Sequence, residues 1–392
     1  MSTALPTREP PVLDPVDPLA LDAQLSEEER ALRDRVRAWA RGRMAPEVDA
    51  LFEQGRWPRE IVPELGRLGV LGMHLGDGGA VEYGLACREL EAVDSGLRTF
   101  VSVQGSLAMT AIDHFGSDEQ KAAWLPRLAA GEAIACFGLS EPAAGSDPSS
   151  MRTRAGRDRD DWVLDGAKRW IGMGSIADVA VVWARTDDGF RGFLVPSGTP
   201  GFEATDIEHK YSLRASLQSE LHFEDCRLPG DAVLPGATGL RAPLSCLDEA
   251  RYGIAWGVTG AARACYEAAL ARASDREQFG RPIGSFQLVQ AKLVEMMLDV
   301  AKGELLALHL GRMKDAGALA PEHVSIGKLD NVRMAARVAR TARSVLGGDG
   351  ITAAYPVMRH MANLESVATY EGTEEVHTLV LGAALTGIRA FA

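Results

Sequence analysis

Four short stretches carry the side chains best suited to chemistry. The first is Tyr370-Glu371-Gly372-Thr373, where Glu371 stands before a glycine and just ahead of an apolar helix. A carboxylate in an apolar cleft loses hydration, its pKa rises, and it can act as a base near neutral pH. The same residues also fit a helix capped by Thr373 with a solvated Glu371 beside it. The second stretch is Phe137-Gly138-Leu139-Ser140-Glu141-Pro142-Ala143-Ala144-Gly145-Ser146-Asp147. Its small residues and Pro142 expose backbone amides, and hydroxyls accompany them. Such a loop can bond the polar edge of a flat heterocycle and a phosphate; the alternative is a plain turn. The third holds Trp170, which could stack on an aromatic cofactor or fill a core. The fourth is Arg276-Glu277-Gln278-Phe279-Gly280.

Several other chemistries lack their residues. There is no G-x-x-x-x-G-K-[ST], no H-E-x-x-H and no G-x-S-x-G, and the eight histidines are scattered, so no metal site is expected. Gly347-Gly348-Asp349-Gly350 follows a helical pattern instead of a strand, which reads as a helix end and turn and not as a dinucleotide loop.

Three zones must position these stretches. Met1 to Leu25 reads as a flexible arm rich in proline and aspartate. A helical zone, residues 26–134, opens on a capping box, Ser26 with Glu29; Ser117 with Gln120 repeats it, and Gly131 suits a helix end. Residues 135–243 read as a β-domain. Asp165-Gly166 between Trp162-Val163-Leu164 and Arg169-Trp170-Ile171 predicts one hairpin, and Asp187-Asp188-Gly189 a second. From residue 244 to 392 the helical period returns, in segments 244–273, 285–316, 321–346 and 374–388, which suggests a four-helix bundle. The fold class expected is α+β.

With 392 residues, two or three domains are expected. The net charge of −12 argues against nucleic acid or an anionic membrane as partner. Five cysteines without a C-x-x-C read as neutral thiols of a reducing compartment. The first residues fit neither a secretory signal nor a transit peptide, and no apolar run reaches ~18 residues, so a cytoplasmic location is expected.

The stretches occur together and in order, joined by Glu91-Ala92-Val93-Asp94-Ser95-Gly96-Leu97-Arg98, Ser102-Val103-Gln104 and Ala250-Arg251-Tyr252-Gly253-Ile254-Ala255-Trp256-Gly257. In this the chain resembles the acyl-CoA dehydrogenase family over nearly its whole length after Leu25, most of all the glutaryl-CoA dehydrogenase branch. The resemblance implies an N-terminal helical domain, a middle β-domain and a C-terminal four-helix bundle, with FAD between the last two and a homotetrameric assembly. It implies that Phe137 to Ser146 hold the flavin edge and diphosphate, with Trp170, Ile171 and Gly172 beside the ring system. Arg276, Phe279 and Gln287, with Ser344-Val345-Leu346-Gly347-Gly348, would hold the FAD of a neighbouring subunit. Thr373, Glu374, Glu375 and Phe391 would be further cofactor contacts.

By the same resemblance, Leu244-Ser245-Cys246-Leu247-Asp248-Glu249-Ala250-Arg251 bind the thioester, with Ser146, Tyr370 and Gly372. Glu371 removes the α-proton as the β-hydrogen leaves as hydride to the flavin. The thioester oxygen is held by the Glu371 amide and a flavin ribityl hydroxyl, an oxyanion-hole device. Arg98 would pair with a distal substrate carboxylate, flanked by Glu91, Thr99 and Ser102; a structural ion pair with Glu91 or Asp94 is the alternative. The implied reaction is oxidation of glutaryl-CoA, then decarboxylation to crotonyl-CoA and CO2, as in lysine and tryptophan degradation, with electron-transfer flavoprotein as acceptor. Gly172 departs from the family's usual threonine or serine, a pattern similar to plant short-chain acyl-CoA oxidases, and so points also to an oxygen-using enzyme. A dehydrogenase for another short or dicarboxylic acyl-CoA, and a non-enzymatic thioester-binding protein, complete the alternatives.

Overall fold

The computed structural model describes residues 13–76 and 78–390. The first capping box forms as its spacing predicts: the Ser26 hydroxyl accepts from the Glu29 amide at 3.1 Å, and the Glu29 carboxylate from the Ser26 amide at 2.7 Å. It starts α1 (Glu27–Trp39), followed by α2 (Val48–Gln54), α3 (Val62–Leu68), α4 (Ala80–Glu91), α5 (Ser95–Val101), α6 (Thr110–Phe115) and α7 (Asp118–Ala129). A π-helical stretch, Ser102–Met109, joins α5 to α6 without a break, so residues 95–115 run as one rod, buried as far as Ile112. Ser117 and Gln120 cap α7 reciprocally. Gly131 ends that hairpin of helices at φ +72°, and a Cβ there would lie 2.3 Å from the Val62 carbonyl. Only glycine fits both the backbone angle and the approach.

The expected flexible arm is corrected in its described part. Leu21 and Leu25 are buried, and the Asp17 carboxylate accepts from the amides of Leu21 and Asp22 at 2.7 and 3.1 Å. Apolar anchors and a satisfied turn hold residues 17–25 against the body.

The β-domain holds β1 (Ala135–Gly138), β2 (Arg154–Asp158), β3 (Asp161–Gly172), β4 (Val179–Thr186), β5 (Gly189–Pro196), β6 (Phe202–Asp206) and β7 (Gln218–Leu228). They form one sheet in the order β1-β4-β2-β3-β7-β6, with β5 paired to β4. β4 and β5 make the hairpin expected at Asp187-Asp188, pairing Thr186 with Gly189. The hairpin expected at Asp165-Gly166 does not exist. β3 runs straight through it, with a register shift between Leu164 and Gly166 against β7. Gly166 marks a bulge, not a turn: its φ is +142°, and a Cβ would strike Thr153 at under 3 Å.

The third zone begins with α8 (Arg241–Asp275), the small hairpin β8 (Glu277–Gln278) and β9 (Arg281–Pro282), then α9 (Gln287–Asp315), α10 (Pro321–Leu346), α11 (Val357–Thr369) and α12 (Glu374–Thr386). The sequence pattern missed α11. Its buried face mixes Val357, Leu364 and Val367 with Arg359, His360 and Asn363, and those polar residues interrupt the apolar stripe. α8 is the central element. Trp256 donates to the Tyr252 hydroxyl at 3.0 Å, which donates to the Ala80 carbonyl at 2.7 Å. Gly84 on α4 makes room, since a Cβ there would sit 2.3 Å from the Trp256 ring. Burial of such an indole contributes about 3–5 kcal/mol against alanine. No helix among the described residues is long and apolar enough to cross a membrane.

Candidate active site

Glu371 sits in the short link between α11 and α12 with φ +55°, a left-handed conformation uncommon for a residue with a Cβ. The surroundings hold it there. Arg251 on α8 donates through Nε to the Glu371 carbonyl at 2.8 Å, and its Nη1 meets Asp248 at 2.9 Å. Lys328 on α10 donates to the carbonyls of both Tyr370 and Gly372. Three successive carbonyls are thus taken by two cations. No acceptor among the described residues takes the Glu371 N–H. The Glu371 Oε2 is sealed from solvent and has no hydrogen-bond partner. Burial pushes the Glu371 carboxyl up, and the charges of Arg251, Lys328 and Arg98 oppose it without cancelling it. Burial also lowers Lys328, to about 7. The carboxyl is therefore a buried group among cations, not the solvated cap neighbour of the alternative reading.

Arg98 reaches this group from α5. It is 1% exposed. Its Nε donates to Glu91 Oε2 at 2.6 Å, its Nη2 donates to the Tyr370 hydroxyl, and Thr99 lies 3.3 Å from the same hydroxyl. The guanidinium carbon stands 5.6 Å from the Tyr370 ring centre. The expected alternative of an ion pair with Glu91 is thus present, but it uses one of the five N–H donors. Asp94 is occupied elsewhere, by Arg359 and Asn363, each at 2.9 Å. Burial raises Glu91, and its attraction to Arg98 holds the arginine charged. Space for the pair comes from α8: a Cβ on Gly257 would lie 2.1 Å from Glu91 Oε2. Ser102 is buried one turn beyond Arg98.

Along residues 244–251 the helix splits the expected contacts between two faces. Cys246 and Ala250 are fully buried in the core under the sheet, with Leu247 packed against it, and burial pushes the Cys246 thiol up to about 12. Leu244 is exposed, the Ser245 hydroxyl is tied to the Ala242 carbonyl at 2.8 Å, and Glu249 pairs with Lys314 at 2.6 Å.

The loop after β1 divides in the same way. Phe137, Leu139 and Ala144 pack in the core, and Gly138 lies in β1. The Glu141 carboxylate accepts from the Arg152 and Thr153 amides and from Lys168 at 2.5, 3.0 and 2.8 Å. Burial raises this carboxyl, but those donors outweigh it and hold it below the usual range. Glu141 is therefore a brace inside the loop. Pro142, Ala143, Gly145 and Ser146 are exposed, and Ser140 is half-buried. Trp170 is 55% exposed with φ +65°, so it is not a core residue; Ile171 beside it is. A large indole held outward on a structured strand is a stacking platform for a flat ring. A Cβ on Gly172 would lie 3.1 Å from Val103 Cγ2, so the π-helical rod occupies the place a side chain would need.

A third group lies at the far end of α8. Arg276, Phe279 and Gln287 are exposed, Phe279 at 94% with φ +54°. Ser344, Gly347 and Gly348 are exposed, whereas Val345 and Leu346 are bundle core. Thr373 caps α12, accepting from the Val376 amide at 3.3 Å; Glu374 pairs with Arg333 at 3.0 Å, and Glu375 is exposed. Phe391 lies outside the described residues. The described residues hold no cluster fit for a metal ion.

Lys328 was not singled out from the sequence. Lys328 and Asn331 fall on the stripe of Val324, Val332 and Ala335, and a lysine on an apolar stripe is a readable sign of a buried charge.

Comparison with known proteins agrees with this arrangement. Three family models match in succession: acyl-CoA dehydrogenase, N-terminal domain, over residues 26–132; middle domain, over 136–226; and C-terminal domain, over 237–386. The chain belongs to the acyl-CoA dehydrogenase family. It is similar to the human mitochondrial short-chain specific acyl-CoA dehydrogenase, 34% identical over 375 residues, covering 92% of this chain and 91% of that one. A glutaryl-CoA dehydrogenase from Mycobacterium smegmatis superposes with a TM-score of 0.94 at 62% identity, covering 95% of this chain and 98% of the other. A second glutaryl-CoA dehydrogenase from that organism, solved in complex with FADH2, gives 0.95 at 55% identity, covering 96% and 99%.

Proposed function

We propose that this chain is an FAD-dependent dehydrogenase of glutaryl-CoA that also decarboxylates the oxidised product. The observation that carries the substrate is the sealed arginine: Arg98 is joined through Tyr370 to the residue that removes the proton. An arginine in a pocket for a straight aliphatic chain would be a costly unpaired charge. Here one N–H serves Glu91 and one serves Tyr370, and the remaining donors suit a carboxylate at the acyl end. Likeness to glutaryl-CoA dehydrogenases at 62% and 55% identity supports the reading.

The residues fit FAD as cofactor. Trp170 offers the outward ring face, and exposed Ala143, Gly145 and Ser146 offer amides and a hydroxyl. FAD bound there supplies an acceptor for the β-hydride. Glu371 takes the α-proton through a carboxylate that burial has made basic. Its own N–H, free of protein acceptors, is available to the thioester oxygen, where negative charge gathers. In glutaconyl-CoA the γ-carboxylate is vinylogous to the thioester. The bond to CO2 breaks, its electron pair enters the conjugated dienolate, and protonated Glu371 returns its proton to give crotonyl-CoA. Electron-transfer flavoprotein is the expected acceptor of the stored electrons.

Arg276 lies 25 residues beyond Arg251 on α8, about 37 Å at the helical rise of ~1.5 Å per residue. That distance and their exposure support reading Arg276 and Phe279 as contacts to a neighbouring copy's cofactor. Exposed Leu288, Leu298, Leu385 and Ile388 on α9 and beyond α10 support a homo-oligomer, read as a tetramer.

A second reading rests on Gly172: without a side chain beside the flavin position, oxygen could serve as acceptor. Anaerobic titration with glutaryl-CoA tests the first reading. Flavin bleaching with crotonyl-CoA and CO2 formed supports it; bleaching only by another acyl-CoA overturns the substrate. Hydrogen peroxide formed at the turnover rate in air supports the second.

A further inference from the structure

We propose that Lys328 is a positioning residue for this reaction, one that aims the Glu371 N–H at the thioester oxygen. The proposal rests on the reading of Glu371 as base. The argument begins with the peptide bond. In a trans peptide the C=O and the N–H point in opposite directions within one rigid plane. The Tyr370 carbonyl is bound by Lys328 Nζ. The N–H of the same peptide belongs to Glu371, so it must point away from Lys328. The next carbonyl, of Glu371, is bound by Arg251, and the one after, of Gly372, again by Lys328. Every peptide plane that could rotate the loop is thus fixed by a cation, and the Glu371 N–H is left without a protein acceptor.

The backbone conformation requires this support. Glu371 has φ +55° and Gly372 φ +93°, so two consecutive residues lie in the left-handed region. A glutamate there is held at a cost of order 1–3 kcal/mol by its surroundings. Lys328 is 2% exposed and α10 is firmly packed, so its ammonium is anchored by the bundle core. No carboxylate pairs with it directly. The charged and titratable groups around it are Glu371 and Tyr370 from the link, Arg251 and Asp248 from α8, Arg98 from α5, and Glu374 and His377 from α12. A buried ammonium is expensive to keep without a partner carboxylate. Its hydrogen bonds all go to the carbonyls of the two residues that flank the base, which is what a positioning role demands.

The test separates aiming from folding and from hydride chemistry. The probe is acetyl-CoA, which has α-hydrogens but no β-carbon to lose hydride. Its α-H/D exchange in D2O, followed by mass spectrometry on the FAD-loaded enzyme, reads proton removal and oxyanion support alone. Lys328→Met is expected to slow exchange roughly 10- to 100-fold, with acetyl-CoA affinity changed less than threefold. Lys328→Arg is expected to recover most of the rate, since it can still donate to both carbonyls. Unchanged exchange in a folded Lys328→Met protein overturns the proposal. So does an exchange loss matched by an equal loss of acetyl-CoA affinity, which marks a general disruption of the cleft. If Glu371→Gln exchanges as fast as the unaltered enzyme, it is the assignment of the base that fails, whatever Lys328 does.

Discussion

Arg98 Nε meets Glu91 Oε2 at 2.6 Å with both side chains shut off from solvent. The pair sits behind Tyr370, to whose hydroxyl Arg98 donates, so Arg98 and Glu371 are linked through the one residue between them. Removing the arginine alone strands a buried carboxylate, a loss of about 3–5 kcal/mol. The informative variant is therefore Arg98→Met with Glu91→Gln. We expect it to fold, to lose at least ~100-fold in kcat/KM for glutaryl-CoA, and to lose less than tenfold for butyryl-CoA. Equal losses on the two thioesters would remove Arg98 as the reader of the carboxylate.

For Glu371→Gln, FAD stays bound and substrate no longer bleaches it. The unaltered enzyme carries a matching pH signature. Burial raises the Glu371 carboxyl above its ordinary 4.5, and only the ionised form accepts a proton. Flavin reduction should therefore be slow in acid and rise with pH through a midpoint above 4.5. Stopped-flow reduction across pH 4 to 9 measures this, and a rate independent of pH throughout would contradict it.

Trp170 is solvent-facing, so Trp170→Ala should leave the thermal midpoint of the flavin-free protein nearly unchanged, within about 0.5 kcal/mol. Its effect belongs to the cofactor: stacking worth about 0.5–1.5 kcal/mol is lost, and FAD binds up to ~10-fold more weakly. Fluorescence titration of the apoprotein with FAD decides the point, an unaltered Kd counting against the stacking role.

Gly172→Ser places a Cβ 3.1 Å from Val103 Cγ2, so the substitution alone should destabilise the protein. Adding Val103→Ala should restore stability. If the lack of a side chain at Gly172 is what admits oxygen, the double variant makes peroxide more slowly than the parent under air-saturated turnover; equal rates would assign oxygen access elsewhere.

Stability has its own pH marker in His360, which is fully buried on α11. Burial, with Arg359 beside it, lowers the imidazole to about 3 from its ordinary 6.5. The unfolded chain takes up a proton below pH 6.5 and the folded chain does not, so stability falls as pH drops from about 6.5 toward 3 and is level above 6.5. His360→Leu should flatten that slope by up to one proton in urea melts, and an identical slope would place the titration on other groups.

Much of this architecture was legible because local rules and tertiary demands agree. Ser26 with Glu29 and Ser117 with Gln120 satisfy orphan amides with neighbours in sequence, and Pro321 removes one by lacking an N–H, so these helix starts are visible without the fold. Asp187-Asp188 shows itself for the same reason. The misreadings arise where distant contacts decide. Asp165-Gly166 has the composition of a turn, but the crowding of Gly166 by Thr153 makes it a bulge within β3. The buried polar face of α11 answers to Asp94 and Asp49, partners more than 250 residues away. Glu371 itself carries no local sign of its environment, because the apolar seal and the cations around it come from α5, α8 and α10.

The bare position at Gly257 bears on how the buried pair is housed. The arginine stands on α5, its counter-charge on α4, and the hollow that admits both on α8. The three parts depend on one another: the arginine without the glutamate leaves a buried charge unpaired, and a Cβ on Gly257 would strike Glu91 Oε2 at 2.1 Å. A single methyl group on α8, far from either residue in sequence, would therefore be enough to evict the pair that α4 and α5 supply.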